Sequence, residues 1–287
     1  MIGFINIYKP SGLTSSNVVV KLRKKFHISK IGHFGTLDPM ACGVLPIAVG
    51  KATRMFDYYL EKGKTYRATF QFGYMTNTLD STGEIIDKTD IVPNIDNIKD
   101  IIKTFLGKSL QTPPDFSAKL INGVRAYKLA RNGETVELKP KAIEITKFEL
   151  LDCLADNTYV FEISCSSGTY IRSIARDLGY ALGSLCTMTA LERIESGIFN
   201  VDNSITLDDA LALDAIENNL IDLESVFPQI MVIKLSERDF DKIKNGVWLA
   251  NTYGVTDIAF AKFNNQIIAV VEQVDNFLRL KTYLWGE

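Results

Sequence analysis

One carboxylate in the chain is set apart by its surroundings. Asp38 lies in Gly32–Pro39 (GHFGTLDP), an apolar stretch with two glycines, closed by a proline, just ahead of the hydrophobic run Val44–Val49. Gly32 and Gly35 open backbone conformations closed to other residues, and Pro39 biases Asp38 away from helix. An acid held on such a loop suits covalent catalysis or proton transfer. The pattern also suits an ordinary Asp-Pro turn, and the residues alone leave both readings open. A glycoside hydrolase usually needs two acids flanking one bond, and no second acid has a comparable setting.

Metal and phosphate chemistry find little support in the residue types. Cys42, Cys153, Cys165 and Cys186 form no CxxC pair, and the histidines are only His27 and His33. The thiols read as reduced and mostly buried, and neither a metal nor a cofactor is expected. No glycine motif of the Walker or Rossmann type occurs.

Net charge is −2, which by itself argues against a nucleic-acid partner, but the charge is unevenly spread. Residues 1–67 carry eleven basic and three acidic side chains, and residues 200–228 carry seven acidic and no basic ones. This asymmetry fits a basic face for a polyanion on a nearly neutral protein, and equally a solvated helix face near the start. No apolar run approaches the roughly 20 residues of a membrane span. The start, MIGFINIYKP, has no basic segment before an apolar one, so a cytoplasmic protein is expected. No heptad seam is visible, so a monomer is expected.

The 287 residues fit about two domains. Strands are expected at Gly3–Lys9 and Val44–Val49, and at Lys64–Phe72, where Tyr66, Ala68, Phe70 and Phe72 share one face. Further strands are expected at Glu84–Asp87, Ala142–Asp152 and Thr158–Ser164, with a short one at Glu192–Gly197. Helices are expected from a Thr14–Ser16 cap to Phe26, and over Lys51–Leu60, Asn94–Leu106, Ala126–Arg131, Thr169–Ala181 and Leu207–Leu213. Lys30–Gly50 reads as a loop into its strand, and Ser109–Arg125 as irregular. The mixture lacks regular βαβ alternation, which favours an α+β fold on a largely antiparallel sheet. A boundary near Pro228 would divide residues 1–228 from a small β-rich module at 229–287, whose seven basic and seven acidic residues cancel.

Four segments in order, Asn6–Ser15 (NIYKPSGLTS), Lys30–Arg54, Lys64–Tyr66 with Thr76–Gly83 (TNTLDSTG), and Ser167–Leu178 (SGTYIRSIARDL), resemble the TruB family of tRNA pseudouridine synthases. The resemblance spans about residues 2–210, and residues 229–287 loosely resemble a PUA-like RNA-binding module. It implies a pseudouridine synthase fold and isomerisation of the uridine at position 55 of the tRNA T-loop, without cofactor or metal. The target base must be flipped out of the folded RNA, which is held through shape and phosphates. By the same resemblance Asp38 is the catalytic nucleophile, Arg172 its charged partner, and Tyr66 the aromatic that stacks on the uracil and handles protons. His33 fills the space of the flipped base, and Tyr170 and Leu191 line the uridine pocket. A non-catalytic RNA-binding protein on the same scaffold is the competing reading, against which the Asp38, Tyr66 and Arg172 set argues. The usual GHTG of the family is GHFG here, and Lys119 stands one place early, so no role attaches to it.

Overall fold

The computed structural model describes residues 1–59, 62–116, 120–121, 124–125 and 138–286. In chain order the strands are β1 (Ile2–Lys9), β2 (Ile31–His33), β3 (Cys42–Gly50), β4 (Lys64–Phe72), β5 (Tyr74–Thr76), β6 (Ile85–Lys88), β7 (Gly107–Gln111), β8 (Leu120–Ile121), β9 (Val124–Arg125) and β10 (Lys141–Cys153). They continue as β11 (Thr158–Cys165), β12 (Cys186–Ser196), β13 (Phe199–Asn200), β14 (Ile205–Thr206), β15 (Met231–Lys234), β16 (Leu249–Ala250), β17 (Ile258–Phe263), β18 (Gln266–Val274) and β19 (Phe277–Tyr283). The α-helices are α1 (Ser15–Phe26), α2 (Phe56–Tyr59), α3 (Ile95–Ile101), α4 (Ile171–Ala181), α5 (Leu207–Ala212), α6 (Leu223–Val226) and α7 (Glu237–Lys244). The helix expected at 126–131 and Lys119 lie outside the described residues.

A ten-stranded mixed sheet runs β14-β1-β3-β12-β4-β11-β10-β7, with β2 added beside β3 and β13 beside β12. Its pairings are antiparallel except β1 with β14 and β3 with β12. The fold is therefore the α+β arrangement on a largely antiparallel sheet that the element pattern predicts. One face of β4 buries Tyr66, Ala68, Phe70 and Phe72 in a core closed by Ile171, Ile174 and Leu178 of α4. A second core packs Val18, Val19 and Leu22 of α1 on β1 and β3. Thr14 starts α1 through a capping box with Asn17.

Several elements differ from the sequence expectation, among them the helix expected over Lys51–Leu60, which is a 3-10 turn at Lys51–Met55 followed by the short α2. The strand expected near Glu192–Gly197 is the second half of β12, which begins at Cys186. Register shifts between Met188 and Ala190 and between Arg193 and Glu195 break its two-residue period, which hides the strand from pattern reading. Ile31–His33 and Gly107–Gln111 pair as strands inside stretches that read as loop and irregular. Helix α7 is charged along most of its length and held by Ile243 and Phe240.

Beyond Pro228, β15-β17-β18-β19-β16 form a separate five-stranded sheet. The core is nevertheless continuous across that point. Phe4, Phe34, Tyr59 and Phe199 pack in one cluster with Phe227, Phe260, Val270 and Leu284. Phe227 meets both Phe4 and Phe260 edge-on, with ring centroids 5.9 and 6.3 Å apart.

Candidate active site

The Asp38 loop is anchored at several points. Phe34 N–H donates to the Pro46 carbonyl at 2.8 Å, and its ring is buried against Phe4, Phe56 and Tyr59 at centroid distances of 5.1 to 5.5 Å. Leu37 N–H donates to the hydroxyl of Ser15 at 2.9 Å, which ties the loop to the start of α1. Ala41 N–H closes a turn on the Asp38 carbonyl at 3.1 Å, and Gly12 N–H donates to Pro39. The buried ammonium of Lys9 donates to the carbonyls of Pro10 and Leu13 beneath the loop. Gly35, at φ +102°, makes the bend that no side-chain-bearing residue adopts cheaply.

Arg172 comes from the first turn of α4, where a cation opposes the helix dipole. Acids compensate it there. Its Nε lies 3.0 Å from Asp38 Oδ2, and its Nη2 donates to Asp38 Oδ1 at 3.2 Å. Its Nη1 donates to the Thr78 carbonyl at 3.0 Å and lies 3.4 Å from Asp80 Oδ2. Burial pushes the Asp38 carboxyl up from its ordinary value, Arg172 pulls it down, and Asp80 pushes it up again. The charged pair thus offsets part of a desolvation cost and leaves a half-buried carboxylate open to the cavity, a setting that suits a nucleophile.

Sequence reasoning left Asp80 without a role, although it sits in the TNTLDSTG segment. Its Oδ1 accepts from the Thr78 hydroxyl, the Thr82 N–H and the Thr82 hydroxyl at 2.5 to 3.0 Å, so the side chain is fixed. An acid flanked by two threonines at i−2 and i+2 is the signal that was present.

A cavity of about 280 Å³ opens beside Asp38, and Tyr66, Tyr170, Arg172 and Leu191 line it. His33 does not line it. It belongs to β2, two residues before Gly35, with Nδ1 buried and unpartnered among the described residues. Burial lowers its pKa, so it reads as a neutral imidazole. Tyr66 projects from β4, and burial pushes its phenol up to about 12, opposed by the nearby Arg193. At neutral pH it is a protonated ring with a hydroxyl to offer. The Tyr170 backbone is clamped by Gln111, which accepts from its N–H at 2.8 Å and donates to its carbonyl at 3.0 Å. Leu191 stands on β12 opposite Ala68 of β4.

Arg193 also lines the cavity and was not singled out from the sequence. It is fully buried, with Nε donating to the Val44 carbonyl at 2.7 Å and Nη2 to the Gly35 carbonyl at 3.1 Å. An arginine inside the strand expected at Glu192–Gly197 was the available clue. Gly43, at φ +104°, allows β3 to approach its backbone; a Cβ there would collide with the Arg193 carbonyl. Among the described residues no three His, Cys, Asp or Glu side chains gather as metal ligands. None of the described helices is long and apolar enough to cross a membrane.

The Asp38 loop, Tyr66 and Tyr170 fall within a segment that matches a family model, and Arg172 lies immediately after it. The family model for the N-terminal domain of TruB family pseudouridylate synthases matches residues 23–171. The tRNA pseudouridine synthase B of Ehrlichia canis (strain Jake) is 39% identical, covering 97% of this chain and 96% of its own length. That of Clostridium novyi (strain NT) is 41% identical, with 86% and 85% covered, and that of Ruegeria pomeroyi is 40% identical, with 93% and 90% covered. Among solved structures, a Cbf5-Nop10-Gar1 complex aligns with TM-score 0.73 at 22% identity, over 99% of this chain and 85% of the matched one. An H/ACA RNP bound to a substrate RNA containing 2′-deoxyuridine aligns with TM-score 0.72 at 22% identity and the same coverage. These two share the fold across nearly the whole chain. The chain belongs to the TruB family of pseudouridylate synthases.

Proposed function

We propose that this protein isomerises uridine to pseudouridine in tRNA, at position 55 of the T-loop, with Asp38 as nucleophile. The observation that carries this reading is the Asp38–Arg172 pair at the mouth of a cavity walled by Tyr66, in a chain of this family. The C1′–N1 bond of the uridine breaks and a C1′–C5 bond forms. The proton leaves C5 and one is gained at N1, so the reaction is redox-neutral and draws on no cofactor. Asp38 attacks the flipped nucleotide, at the sugar C1′ or on the uracil ring, and is released when the base rejoins through C5.

In this reading Arg172 holds the carboxylate charged and aimed, a positioning role with geometric specificity. The Tyr66 ring stacks on the uracil and its hydroxyl is available for hydrogen bonding and proton handling. Tyr170 and Leu191 close the pocket around the base, and His33 fills the space the base vacates in the RNA. Residues 1–228 carry the chemistry, and residues 229–287 are a PUA-like module that adds RNA contacts. The protein works as a cytoplasmic monomer on the T arm of tRNA.

Incubation with an unmodified tRNA transcript, without cofactor, tests the proposal. Pseudouridine at position 55, absent with Asp38→Asn, is the expected result. Tight tRNA binding with no pseudouridine at any position would instead leave a non-catalytic RNA-binding protein.

A further inference from the structure

Lys64 and Arg193 line the cavity, and a third cation, Lys141, stands near Lys64 beside it. Lys64 is buried, and its Nζ donates to the Lys62 carbonyl and the Ser167 hydroxyl, both at 3.2 Å. Arg193 lies beneath it. A Cβ on Gly35 would stand 3.3 Å from Arg193 Nη1 and 3.4 Å from Lys64 Cε, so both side chains converge on one spot of backbone. Lys141, exposed at the start of β10, reaches over Gly168, where a Cβ would collide with its ammonium. None of the three forms an ion pair with a carboxylate among the described residues, and Arg193 Nη1 has no hydrogen-bond partner there. The Tyr66 hydroxyl stands close to the Arg193 guanidinium, and both line the cavity.

Buried cations without counter-charges are costly and are normally paired. Here the cost shows as a Lys64 ammonium pulled down to about 8, by burial first and by Arg193 next. An arrangement of this kind is relieved by an anion. A uracil carbonyl would need one donor, whereas three clustered positive charges match a phosphodiester. Tyr66 is within reach of both Asp38 and Arg193, and all three line the same cavity. A nucleotide stacked on Tyr66 with its C1′ at Asp38 carries its own phosphates one sugar away, within the span of the cavity that Lys64 also lines.

We propose that Lys64, Ser167 and Lys141, backed by the fixed charge of Arg193, form a subsite for one backbone phosphate next to the flipped nucleotide. This rests on the function proposed above. Lys64 and Lys141 make the contacts, and Arg193 adds field from below while its Nε and Nη2 hold β3 and the Gly35 loop.

Equilibrium binding of T-arm hairpins in an Asp38→Asn background, where no turnover intervenes, tests it. Three RNAs are compared: all-phosphate, and with the linkage 5′ or 3′ of the target uridine replaced by uncharged methylphosphonate. Lys64→Met is expected to weaken the all-phosphate RNA about ten-fold, the scale of one charge-assisted hydrogen bond. One of the two replacements is expected to weaken binding similarly, and Lys64→Met to cost nothing further on that RNA. Lys141→Met, at an exposed side chain, supplies the same comparison if Lys64→Met does not fold. Equal losses on all three RNAs, or no loss on any, overturn the subsite. Wild-type turnover of the all-phosphate hairpin is measured in parallel; its absence strikes the proposed function, not the subsite alone.

Discussion

Arg172 grips Asp38 with two edges of one guanidinium, Nε to Oδ2 at 3.0 Å and Nη2 to Oδ1 at 3.2 Å, while its Nη1 lies 3.4 Å from Asp80. One buried cation therefore serves two acids with opposite consequences. It favours the charged form of Asp38, and Asp80 disfavours it.

Asp38→Asn removes the proposed nucleophile at nearly constant volume. Pseudouridine formation is expected to become undetectable, while RNA affinity stays within a few-fold, because phosphate contacts set most of it. Turnover within ten-fold of wild type would end the assignment of Asp38.

The acidic limb of the pH–rate profile should report the ionisation of Asp38. Its folded pKa is raised, and the carboxylate is the working form, so kcat/KM rises with pH and levels off above that pKa. Arg172→Lys weakens the bidentate grip and should move the limb to higher pH. Asp80→Asn removes a neighbouring negative charge and should move it lower, although its rate falls through a looser Arg172. Limbs shifting in the same direction in both variants would show that the two acids do not share the arginine.

Phe34→Thr restores the residue usual in this family's loop, yet here it should harm. The phenyl ring fills a buried aromatic cluster, and truncating it is expected to cost about 3 kcal/mol of unfolding free energy. Urea denaturation would measure this, and an unchanged midpoint would contradict the packing argument.

Lys64 carries a stability cost that its removal should reveal. Its folded pKa, about 8, lies below the unfolded value, so between these values the unfolded chain binds more protons. Wild-type stability should therefore gain on that of Lys64→Met as pH climbs from about 8 to 10.5, while the similar contribution of Lys9 stays in both proteins. At pH 7 the variant should be the more stable protein. Parallel chemical-denaturation curves from pH 7 to 10.5 would reveal no convergence if the idea is wrong.

Activity should survive excess chelator, and RNA binding should weaken steeply as salt rises from about 0.05 to 0.2 M, through counterion release. A salt-insensitive Kd would contradict phosphate contacts by the basic N-terminal third.

Much of the scaffold was legible in the sequence. The alternation at Lys64–Phe72 and the cap before α1 are local signals, and both elements form where they point. Strand β12 was half hidden because its register shifts interrupt the period that reveals strands. The Asp38 loop was visible as an acid in an apolar, glycine-bearing turn, whereas its partnership with Arg172 spans 134 positions and has no local trace. Asp80 and Arg193 were harder still. Their significance lies in what they face, and only the folded sheet brings β4, β12 and the loop together.

The aromatic cluster beneath Phe34 has a consequence for synthesis. It joins Phe4, among the first residues made, to Phe260, Val270 and Leu284, among the last. A ribosome releases the chain in one direction, so the strand bearing Phe4 and the loop bearing Asp38 emerge long before their backing exists. The aromatic packing under the Asp38 loop is complete only when β17, β18 and the segment after β19 have joined the cluster. One core thus joins two segments more than 200 positions apart, so the packing that backs the Asp38 loop is finished by residues made long after the loop itself.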